Sequence, residues 1–479
     1  MSFNARNATI VSCLGVAVIC GAVKDVQASG FALREQSAEG LGDAFAGQSA
    51  KAYNASTVYF NPAGMANLDS NEFAGTTTWI APVSQFKGSN SVLPSGTVSG
   101  RDDTNAIKSA AIGSAFGVWN ASPNWKFGAS VATPFGMRSD YKPDWVGRYQ
   151  ALHSDVTDVD VSIVASYKID DHLSIGGGPR IDYLKATLSQ AVNFNTLGQA
   201  TAQQYASGAQ TAATAAAAAA STNPALAAAL AAQAASLASS AQTAASWGDG
   251  LAKVEGDDIG AGYNLGVLYE FTPKTRLGLD YRSRSSHTLS GTVNYQTPST
   301  LALAGSTANL FVNQNATAKI TLPDSVNLGA YHEIDDRWAV LASAEWTDWS
   351  LFKQLNVVGA NGQAISSTQE NWHDTWFLSL GTNFKATDKW TLHGGVAFDQ
   401  SPVRDAYRTA RIPDSNRYWL ATGASYAMTP SADIHIGYTH IFADKASIKE
   451  TAAAPLSGTL TGSYSNSVDI VSTSLALRF

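Results

Sequence analysis

The sequence predicts an all-β membrane protein, a 14-stranded antiparallel transmembrane β-barrel with a plug in its lumen. Three observations lead to this fold class: apolar and polar residues alternate along many segments, tight turns alternate with long polar loops, and an export signal comes first. Of the 479 residues, 45% are hydrophobic and 14% are charged, and the mean hydropathy is −0.08. Such averages are typical of transmembrane barrels, because every second side chain of a strand faces a polar lumen.

The alternation is clearest between Ile259 and Phe271, where every odd position is apolar and the even positions are mostly small or polar. It recurs at 159–169 and at 434–442. This period of two is that of a β-strand with one greasy face. A soluble sandwich would also alternate, but it would not need aromatic residues at both ends of its apolar stripe. Those aromatic residues suit the two lipid–water interfaces of a membrane.

Turn signals set the number of strands. Short Pro-, Asp- and Ser-containing turns lie between alternating runs at 121–124, 170–171, 272–275, 335–336, 386–388 and 429–431. Longer polar stretches lie between them at 88–107, 138–153, 188–255, 296–316, 356–370, 401–416 and 444–465. Six turns and seven loops make thirteen connections and therefore fourteen strands. An even number leaves both ends of the barrel on the periplasmic side.

Residues 1–28 are predicted to be a cleaved signal peptide. Arg6 precedes an apolar run from Ile10 to Val23, and 26–28 offers a small-residue cleavage site. A single anchoring helix is the alternative, but the run is short and interrupted by polar residues. A lipoprotein anchor at Cys20 is a weaker alternative, because bulky Ile19 precedes it.

Composition excludes several other classes of function. Both cysteines lie inside the predicted signal peptide, so the mature chain has none. A net charge of −7 and a pI near 5.6 argue against nucleic acid as a partner. The chain has no zinc-type histidine spacing, no P-loop and no G-x-S-x-G motif. We therefore expect no enzymatic activity, no metal and no cofactor.

Residues 29–71 do not alternate and are rich in Gly, Ala and Ser. Such a segment ahead of the first strand can lie in the periplasm or fold into the lumen. A fourteen-stranded barrel is too wide to be filled by its own side chains. We therefore expect a hatch at 29–71, followed by the transmembrane barrel at 72–479.

The long loop at 188–255 contains an Ala-rich insertion. Asn223 is placed as a helix cap and Pro224 as the first helical residue. Leu226, Leu230 and Leu237 then fall near one face of a helix. The sequence predicts a helical hairpin in this loop, outside the membrane, with plain low-complexity sequence as the alternative.

The hatch segment resembles the plug of FadL-type outer-membrane transporters of long-chain fatty acids and hydrocarbons, the OmpP1/FadL/TodX family. The resemblance rests on 29–31, the Gly-rich 40–47 and Asn61-Pro62-Ala63. Later blocks that look like those of the family follow in order at 262–270, 279–283, 322–324, 346–350, 397–403 and 412–420. The family fold, a fourteen-stranded barrel with an N-terminal hatch, agrees with the strand count.

This resemblance implies uptake of a hydrophobic compound in three steps: binding in an apolar pocket, movement of the hatch, and lateral exit at a kink in the third strand. Here Pro134, Phe135 and Gly136 fall in the third strand. Pro134 removes a donor from the ladder and Gly136 tolerates a bulge, so we expect these three residues to form the lateral gate. The alternative is that they end the strand at its outer rim.

The resemblance also suggests roles within the hatch and the long loop. Phe31 is similar to the family's N-terminal aromatic residue, which reaches the tighter ligand site; packing on the barrel wall is the alternative. Pro62 fixes φ and biases Asn61 to an extended conformation, so Asn61, Pro62 and Ala63 can hold the hatch against the wall rather than form a simple turn. The three leucines at 226, 230 and 237 would line an extracellular groove where the ligand first lands.

The chain departs from the fatty-acid members of the family where they are expected to bind the carboxylate. The aligned residues, Gln190 and Thr368, are neutral, although Lys185, Arg180 and His373 lie nearby in the sequence. Two ligand classes stay open, long-chain fatty acids and neutral aromatic or alkane hydrocarbons. An outer-membrane hydrolase or a surface adhesin displaying the Ala-rich loop is a less favoured alternative.

The expected location is the bacterial outer membrane. The expected partners are a hydrophobic small molecule, the outer-membrane lipid with its lipopolysaccharide, and the barrel assembly machinery. The terminal Phe479 at the barrel rim would favour such assembly. We expect the protein to be a monomer.

Overall fold

The computed structural model describes residues 30–92, 96–451 and 456–479. The predicted signal peptide lies outside the described residues. Within them, fourteen antiparallel strands form a closed barrel, in which the first strand pairs with the last from Glu72↔Arg478 to Ser91↔Thr459. The predicted fold class is confirmed.

The first seven strands are β1 (Glu72–Val92), β2 (Ala110–Asn120), β3 (Trp125–Ala132 and Gly136–Asp140), β4 (His153–Lys168), β5 (Leu173–Val192), β6 (Gly250–Thr272) and β7 (Thr275–Arg282 and Ser285–Gln296). The other seven are β8 (Gln314–Leu322 and Ser325–Glu333), β9 (Trp338–Thr347 and Gln354–Gly359), β10 (Ala364–Gln369 and Thr375–Lys385), β11 (Trp390–Asp399), β12 (Arg417–Thr429), β13 (Ala432–Ala443 and Ala446–Thr451) and β14 (Thr459–Arg478). A two-residue strand, Gly96–Thr97, pairs with the end of β1.

The two faces of each strand differ as the alternation predicts. On β6, Ile259 and Leu265 are 68% and 52% exposed, whereas Gly260 and Asn264 between them are buried. Exposed aromatic side chains form two levels on the outer surface. One level lies beside the tight turns and includes Trp119, Trp125, Trp338 and Trp390, and the other lies about ten residues along the strands and includes Tyr183, Trp376, Tyr418 and Phe442. The band between these levels is the lipid-facing surface.

All six tight turns lie where the sequence predicts them, but six of the seven loops are shorter than expected. The stretch predicted as a loop at 356–370 is mostly a β-hairpin, formed by Gln354–Gly359 and Ala364–Gln369. Strands continue beyond the lipid-facing band because backbone pairing does not require a membrane. Above the band neither face of the strand has to be apolar, so the hydrophobic pattern stops before the strand does.

The hatch fills the lumen with four short helices. They are α1 (Ala38–Gly42), α2 (Gln48–Lys51), α3 (Thr57–Phe60) and a 3-10 helix (Pro62–Asn67). α1 packs on β12 and β13, α2 on β7 and β8, and the 3-10 helix on β4, β5 and β6. Glycines in the wall allow this close approach. A Cβ atom at Gly278 would lie 1.9 Å from the carbonyl oxygen of Ser49 in α2.

Two long helices occupy the connection between β5 and β6. α4 (Phe194–Ala219) and α5 (Pro224–Ala245) pack against each other as an antiparallel hairpin. The side chain of Asn223 accepts a hydrogen bond from the backbone N–H of Leu226, which is the predicted cap. Among the described residues α5 alone has the length and hydropathy of a membrane-spanning helix, and it is not buried in the protein. The hairpin begins at the end of β5 that lies opposite the tight turns, at the outer rim of the barrel.

Replacing Gly278 by Ala should push α2 away from the wall, because the added methyl group would overlap the Ser49 carbonyl. We expect the barrel to assemble but to admit a large hydrophilic antibiotic. Antibiotic sensitivity of whole cells measures this. Gly113→Ala is the matched control, since the nearest atom to its added methyl group is the Thr76 carbonyl oxygen at 3.7 Å. Equal resistance of the two strains would show that the wall tolerates the methyl group.

Candidate ligand pocket and lateral gate

Phe31 lies at the centre of a buried aromatic cluster. Its side chain is 3% exposed, and its ring centroid lies 5.0 Å from that of Trp349, 5.8 Å from Phe135, 5.9 Å from Trp372 and 6.1 Å from Phe352. The hatch, the interrupted third strand and the wall strands β9 and β10 therefore meet at one side chain. Aromatic pairs in such tilted arrangements add to the stabilisation that burial alone provides.

An apolar cavity extends from Phe31 toward the outer rim. Its walls are aliphatic and aromatic side chains of the hatch and of strands β3 to β9, among them Met137, Val156, Leu184, Leu289, Ile320 and Leu355. Charged side chains occur at the outer part, where Glu370 and Arg411 line it. The cavity has the apolar lining and the few polar groups that are typical of sites for small hydrophobic ligands.

A wider and more polar cavity continues from this pocket toward the outer rim. The two cavities share several lining residues, including Leu188, Val254, Glu370 and Arg411. Gln190 and Thr368, the neutral residues at the expected head-group positions, both line the outer cavity. A ligand can therefore enter through a polar vestibule and reach an apolar pocket without leaving the lumen.

Arg411 stands where the vestibule meets the apolar pocket. Its Nη1 donates to the carbonyl oxygen of His153 at 3.1 Å and to Oγ of Ser154 at 3.0 Å. Its Nη2 donates to the carbonyl oxygen of Ser189 at 3.2 Å and to Oε1 of Gln190 at 2.9 Å. The neutral Gln190 thus accepts a hydrogen bond from a cation, Arg411, that comes from the loop before β12.

The two carboxyl groups near Arg411, those of Glu370 and Glu450, neutralise its charge only in part. They lie above the lipid-facing band, which ends at Trp376 in β10 and Phe442 in β13. Desolvation raises the pKa of Glu370 to about 8 and that of Glu450 to about 7. Desolvation also lowers the pKa of Arg411, but a guanidinium keeps its proton in proteins. Near neutral pH the floor of the vestibule therefore carries a net positive charge.

The third strand is interrupted at Thr133, Pro134 and Phe135, between its two segments. Pairing of β2 with the first segment ends at Ala115↔Val131. Beyond it, 110–114 pair with β1 alone among the described ladders, and contact with β3 resumes only where Lys108 N donates to the carbonyl oxygen of Arg138. The ladder between β2 and β3 is thus open beside Pro134.

The N-terminal segment of the hatch takes the place of the missing strand partner. Leu33 N donates to the carbonyl oxygen of Pro134 at 2.7 Å, and Gly136 N donates to the carbonyl oxygen of Phe31 at 2.8 Å. Nε2 of Gln36 donates to the carbonyl oxygen of Thr133 at 2.8 Å. One short segment therefore lines the apolar pocket and closes the opening in the wall.

Asn61, Pro62 and Ala63 fix the hatch to the wall. Nδ2 of Asn61 donates to the carbonyl oxygen of Ser49 at 2.6 Å and to that of Val267 in β6 at 3.0 Å. Pro62 and Ala63 lie against β5, where a Cβ atom at Gly176 would be 2.5 Å from Ala63 N. This is the predicted placement against the lumen wall. The three residues are outside the lining of the apolar pocket and of the vestibule.

Comparison with known proteins agrees with this architecture. The profile of a family described as outer membrane protein transport protein (OMPP1/FadL/TodX) matches residues 19–479. The chain belongs to this family. Its members are transport proteins and channels of the outer membrane rather than enzymes, which argues against the hydrolase alternative.

Individual relatives support the assignment. The chain is 28% identical over 439 residues to a long-chain fatty acid transport protein of Escherichia coli (strain K12), an alignment that covers 88% of this chain and 90% of the relative. It is 26% identical to outer membrane protein P1 of Haemophilus influenzae, covering 88% of each chain.

Two solved structures share the fold. A Pseudomonas aeruginosa FadL homologue superposes with a TM-score of 0.78 at 24% identity, covering 94% of this chain and all of that one. The toluene transporter TodX of Pseudomonas putida superposes with a TM-score of 0.59 at 18% identity, covering 93% and 99%.

The remaining residues singled out in the sequence lie apart from the two cavities. Leu226 is 48% exposed, and Leu230 and Leu237 are half-buried on α5; none of the three lines the vestibule. Lys185 is exposed on the outer surface, and Nδ1 of His373 bonds to the carbonyl oxygen of Asp374. Arg180 faces the lumen below the pocket.

Sequence reasoning missed Arg411, although it directly precedes the block at 412–420 that resembles the family. Its position depends on how a loop folds back into the lumen, which alternation cannot show. The one available signal was an arginine directly before an otherwise recognisable block.

Truncation of Phe31 to Ala should weaken binding of a long-chain hydrophobic ligand by about tenfold, because about 1–2 kcal/mol of aromatic contact is lost from the pocket. Ligand titration of the purified protein in detergent measures this. Phe442→Ala, on the lipid-facing surface, removes the same side chain far from the pocket and should leave the affinity unchanged. Equal affinities for both variants would place the ligand elsewhere.

Proposed function

We propose that this protein carries long-chain fatty acids, or other hydrophobic compounds, across the outer membrane. The ligand enters the vestibule, binds in the apolar pocket against Phe31, displaces the N-terminal segment of the hatch, and leaves sideways through the opening in β3. The observation that carries this proposal is that the same hatch segment forms the end of the pocket and the closure of the gate.

Partitioning explains why such a route needs a protein. Transfer of a hydrocarbon chain out of water gains about 0.8 kcal/mol for each CH₂ group. A water-filled pore offers such a molecule no favourable site, whereas an apolar pocket does. Lateral exit then delivers the ligand to the membrane interior, where its chain stays out of water.

Movement of the hatch segment breaks the aromatic contacts of Phe31 and the hydrogen bonds that close the gap in β3. Ala32 forms a single β-bridge with Phe135, flanked by the two hydrogen bonds at Leu33 and Gly136. The rest of the hatch is held to the wall separately, for example by the hydrogen bond from Nδ2 of Asn61 to the carbonyl oxygen of Val267 at 3.0 Å. Displacement of Phe31 can therefore open the gate while the bulk of the hatch stays in place.

The charge at the vestibule favours a carboxylate as the ligand head group. Arg411 lies at the outer end of the apolar pocket, and Lys449 lines the vestibule beside it. A fatty acid would place its tail toward Phe31 and its head near Arg411. The E. coli relative is named a long-chain fatty acid transport protein, which agrees with this choice.

Uptake of neutral aromatic or alkane hydrocarbons is the second candidate. The lining of the pocket between Phe31 and Leu355 is apolar enough to bind a ligand without a head group. Several structures of this fold are named monoaromatic hydrocarbon channels or toluene transporters.

We further propose that the protein acts as a monomer, inserted by the barrel assembly machinery with its outer rim among lipopolysaccharide. The terminal Phe479 follows β14 at the rim of the tight turns, and it is exposed. The placement of the Ala-rich hairpin at the outer rim would bring it to the cell surface, and a role for it in first contact with the ligand stays a prediction.

Replacing both Pro134 and Gly136 by Val should restore a continuous third strand and abolish uptake of a long-chain substrate at normal barrel abundance. Uptake by whole cells of the labelled compound measures this. Pro179→Val is the matched control, because Pro179 also lies within a strand, in β5 opposite Tyr263 of β6, and not in the interruption of β3. Normal uptake by the double variant would defeat lateral exit.

The affinity for an alkyl sulfonate, which stays ionised throughout, should rise as the pH falls from about 9 to 6. Glu370, with its pKa raised to about 8, and Glu450, at about 7, lose negative charge in this window beside the anionic head group. Glu370→Gln should remove the upper part of this dependence. A matched alkyl alcohol serves as the control, and an identical pH dependence for the alcohol would exclude a charge effect.

A further inference from the structure

A third cavity lies inward of the Phe31 cluster, between the hatch and the interruption in β3. Pro134 and Phe135 form one side of it, and Tyr59 of α3 forms another. The third side carries two charged residues of β7, Arg282 and Asp280. Any ligand that leaves the apolar pocket through the gate passes directly beside this cavity.

Arg282 is a buried cation with incomplete pairing. Its side chain is 8% exposed, and its Nη2 lies 2.8 Å from Oδ2 of Asp160. The same oxygen accepts from Nη1 of Arg180 at 2.9 Å, so two guanidinium groups share one carboxylate oxygen. Nε and Nη1 of Arg282 have no hydrogen-bond acceptor among the described residues. Buried donors without acceptors cost free energy, which an incoming acceptor would recover.

Other groups around the cavity leave the guanidinium donors in excess. Arg34 pairs with Glu345, yet its Nε also has no acceptor within the described chain. The unfilled acceptors of the lining are Oε1 of Gln48, Oδ1 of Asn327 and Oδ1 of Asp280, and Nε of Arg180 is a further unfilled donor. Asp280 is a carboxylate on the same face of β7 as Arg282, so it opposes an anion in this cavity. Neither oxygen of Asp280 accepts a hydrogen bond from Nε or Nη1 of Arg282.

The aromatic surroundings fit a chain with a charged end. The guanidinium of Arg282 lies 4.4 Å from the ring centroid of Tyr59, and Phe60 and Phe135 add apolar walls. A charged head group that enters a low-dielectric lumen needs an ionic partner at each stage of its path. A neutral hydrocarbon has no such requirement.

We propose that this cavity is a transit site for the carboxylate of a long-chain monocarboxylic acid, with Arg282 as its principal donor. The head group leaves the vestibule and accepts a hydrogen bond from Nε or Nη1 of Arg282 while the tail passes Phe135 into the opening of β3. A hydrogen bond between a guanidinium and a carboxylate is charge-assisted and therefore stronger than a neutral one. This proposal rests on the lateral route proposed above and assigns a head-group site to it.

The test compares oleate with oleyl alcohol, which has the same chain and no charge. In whole cells expressing Arg282→Gln, we expect oleate uptake to fall about tenfold and oleyl alcohol uptake to stay within about twofold, the change typical of losing one charged hydrogen-bond partner. Oleate affinity of the purified protein should be unchanged, because the apolar pocket and Arg411 are intact. Equal loss for both ligands, or no loss for either, would overturn the proposal.

Two further variants keep the test decisive if Arg282→Gln assembles poorly. Arg282→Lys keeps the charge but loses the fixed donor directions of the planar guanidinium, and it should lower oleate uptake alone, by a smaller factor. Asp280→Asn removes the opposing charge and should leave oleate uptake equal or higher; a selective fall in oleate uptake would show that Asp280 does not oppose the head group and would overturn the proposal. Failure of the lateral route itself is distinguishable, since the variant that closes the gap in β3 would then take up both ligands normally.

Discussion

A β-barrel in a membrane requires that every backbone group of its wall be paired. The rest of this structure depends on how the protein meets that requirement at one gap between strands. In a bilayer an unpaired N–H or C=O group costs several kcal/mol, so a gap between two strands must be covered. Pro134 interrupts β3 and leaves such a gap, and the hatch segment from Phe31 to Gln36 covers it with backbone and side-chain hydrogen bonds. The closure is therefore part of the plug rather than part of the wall, and it can move with the plug.

In the proposed mechanism, this arrangement couples ligand binding to opening of the gap in β3 through the side chain of Phe31. Phe31 closes the inner end of the apolar pocket, and its own carbonyl oxygen accepts the hydrogen bond from Gly136. A ligand that gains free energy by occupying the pocket can offset the loss of the Phe31 contacts, because each CH₂ group contributes about 0.8 kcal/mol. In this proposal, charged groups at both ends of the path, Arg411 above and Arg282 below, favour acids over neutral hydrocarbons. Ligand binding alone can then shift the hatch segment toward its displaced position, because the ligand gains more free energy there.

The sequence was sufficient for the features that depend on local pattern. Alternation and turn residues yield the strand number and the tight turns, the loss of alternation marks the hatch, and Asn223-Pro224 marks the start of α5. Pro134 and Gly136 locate the interruption in β3, although their role as a gate stays a prediction. Contacts between residues that are far apart in the chain could not be predicted from the sequence. Arg411 reaches the pocket from a distant loop, and Arg282 meets Asp160 across 122 positions of the chain. The strand extensions above the membrane carry no apolar stripe on their outer face, and the sequence therefore predicts loops there.

The most direct measurement is to lock the hatch segment to the gate. Ala32 and Phe135 face each other as an isolated antiparallel bridge without direct hydrogen bonds, a geometry with Cα atoms about 4.5 Å apart that suits a disulfide. Ala32→Cys with Phe135→Cys adds the first cysteines to the predicted mature chain. We expect the oxidised protein to bind ligand weakly and to carry none, with uptake restored by a reducing agent. Equal uptake by the oxidised and reduced forms would contradict the account, because the gate would then open without release of the hatch.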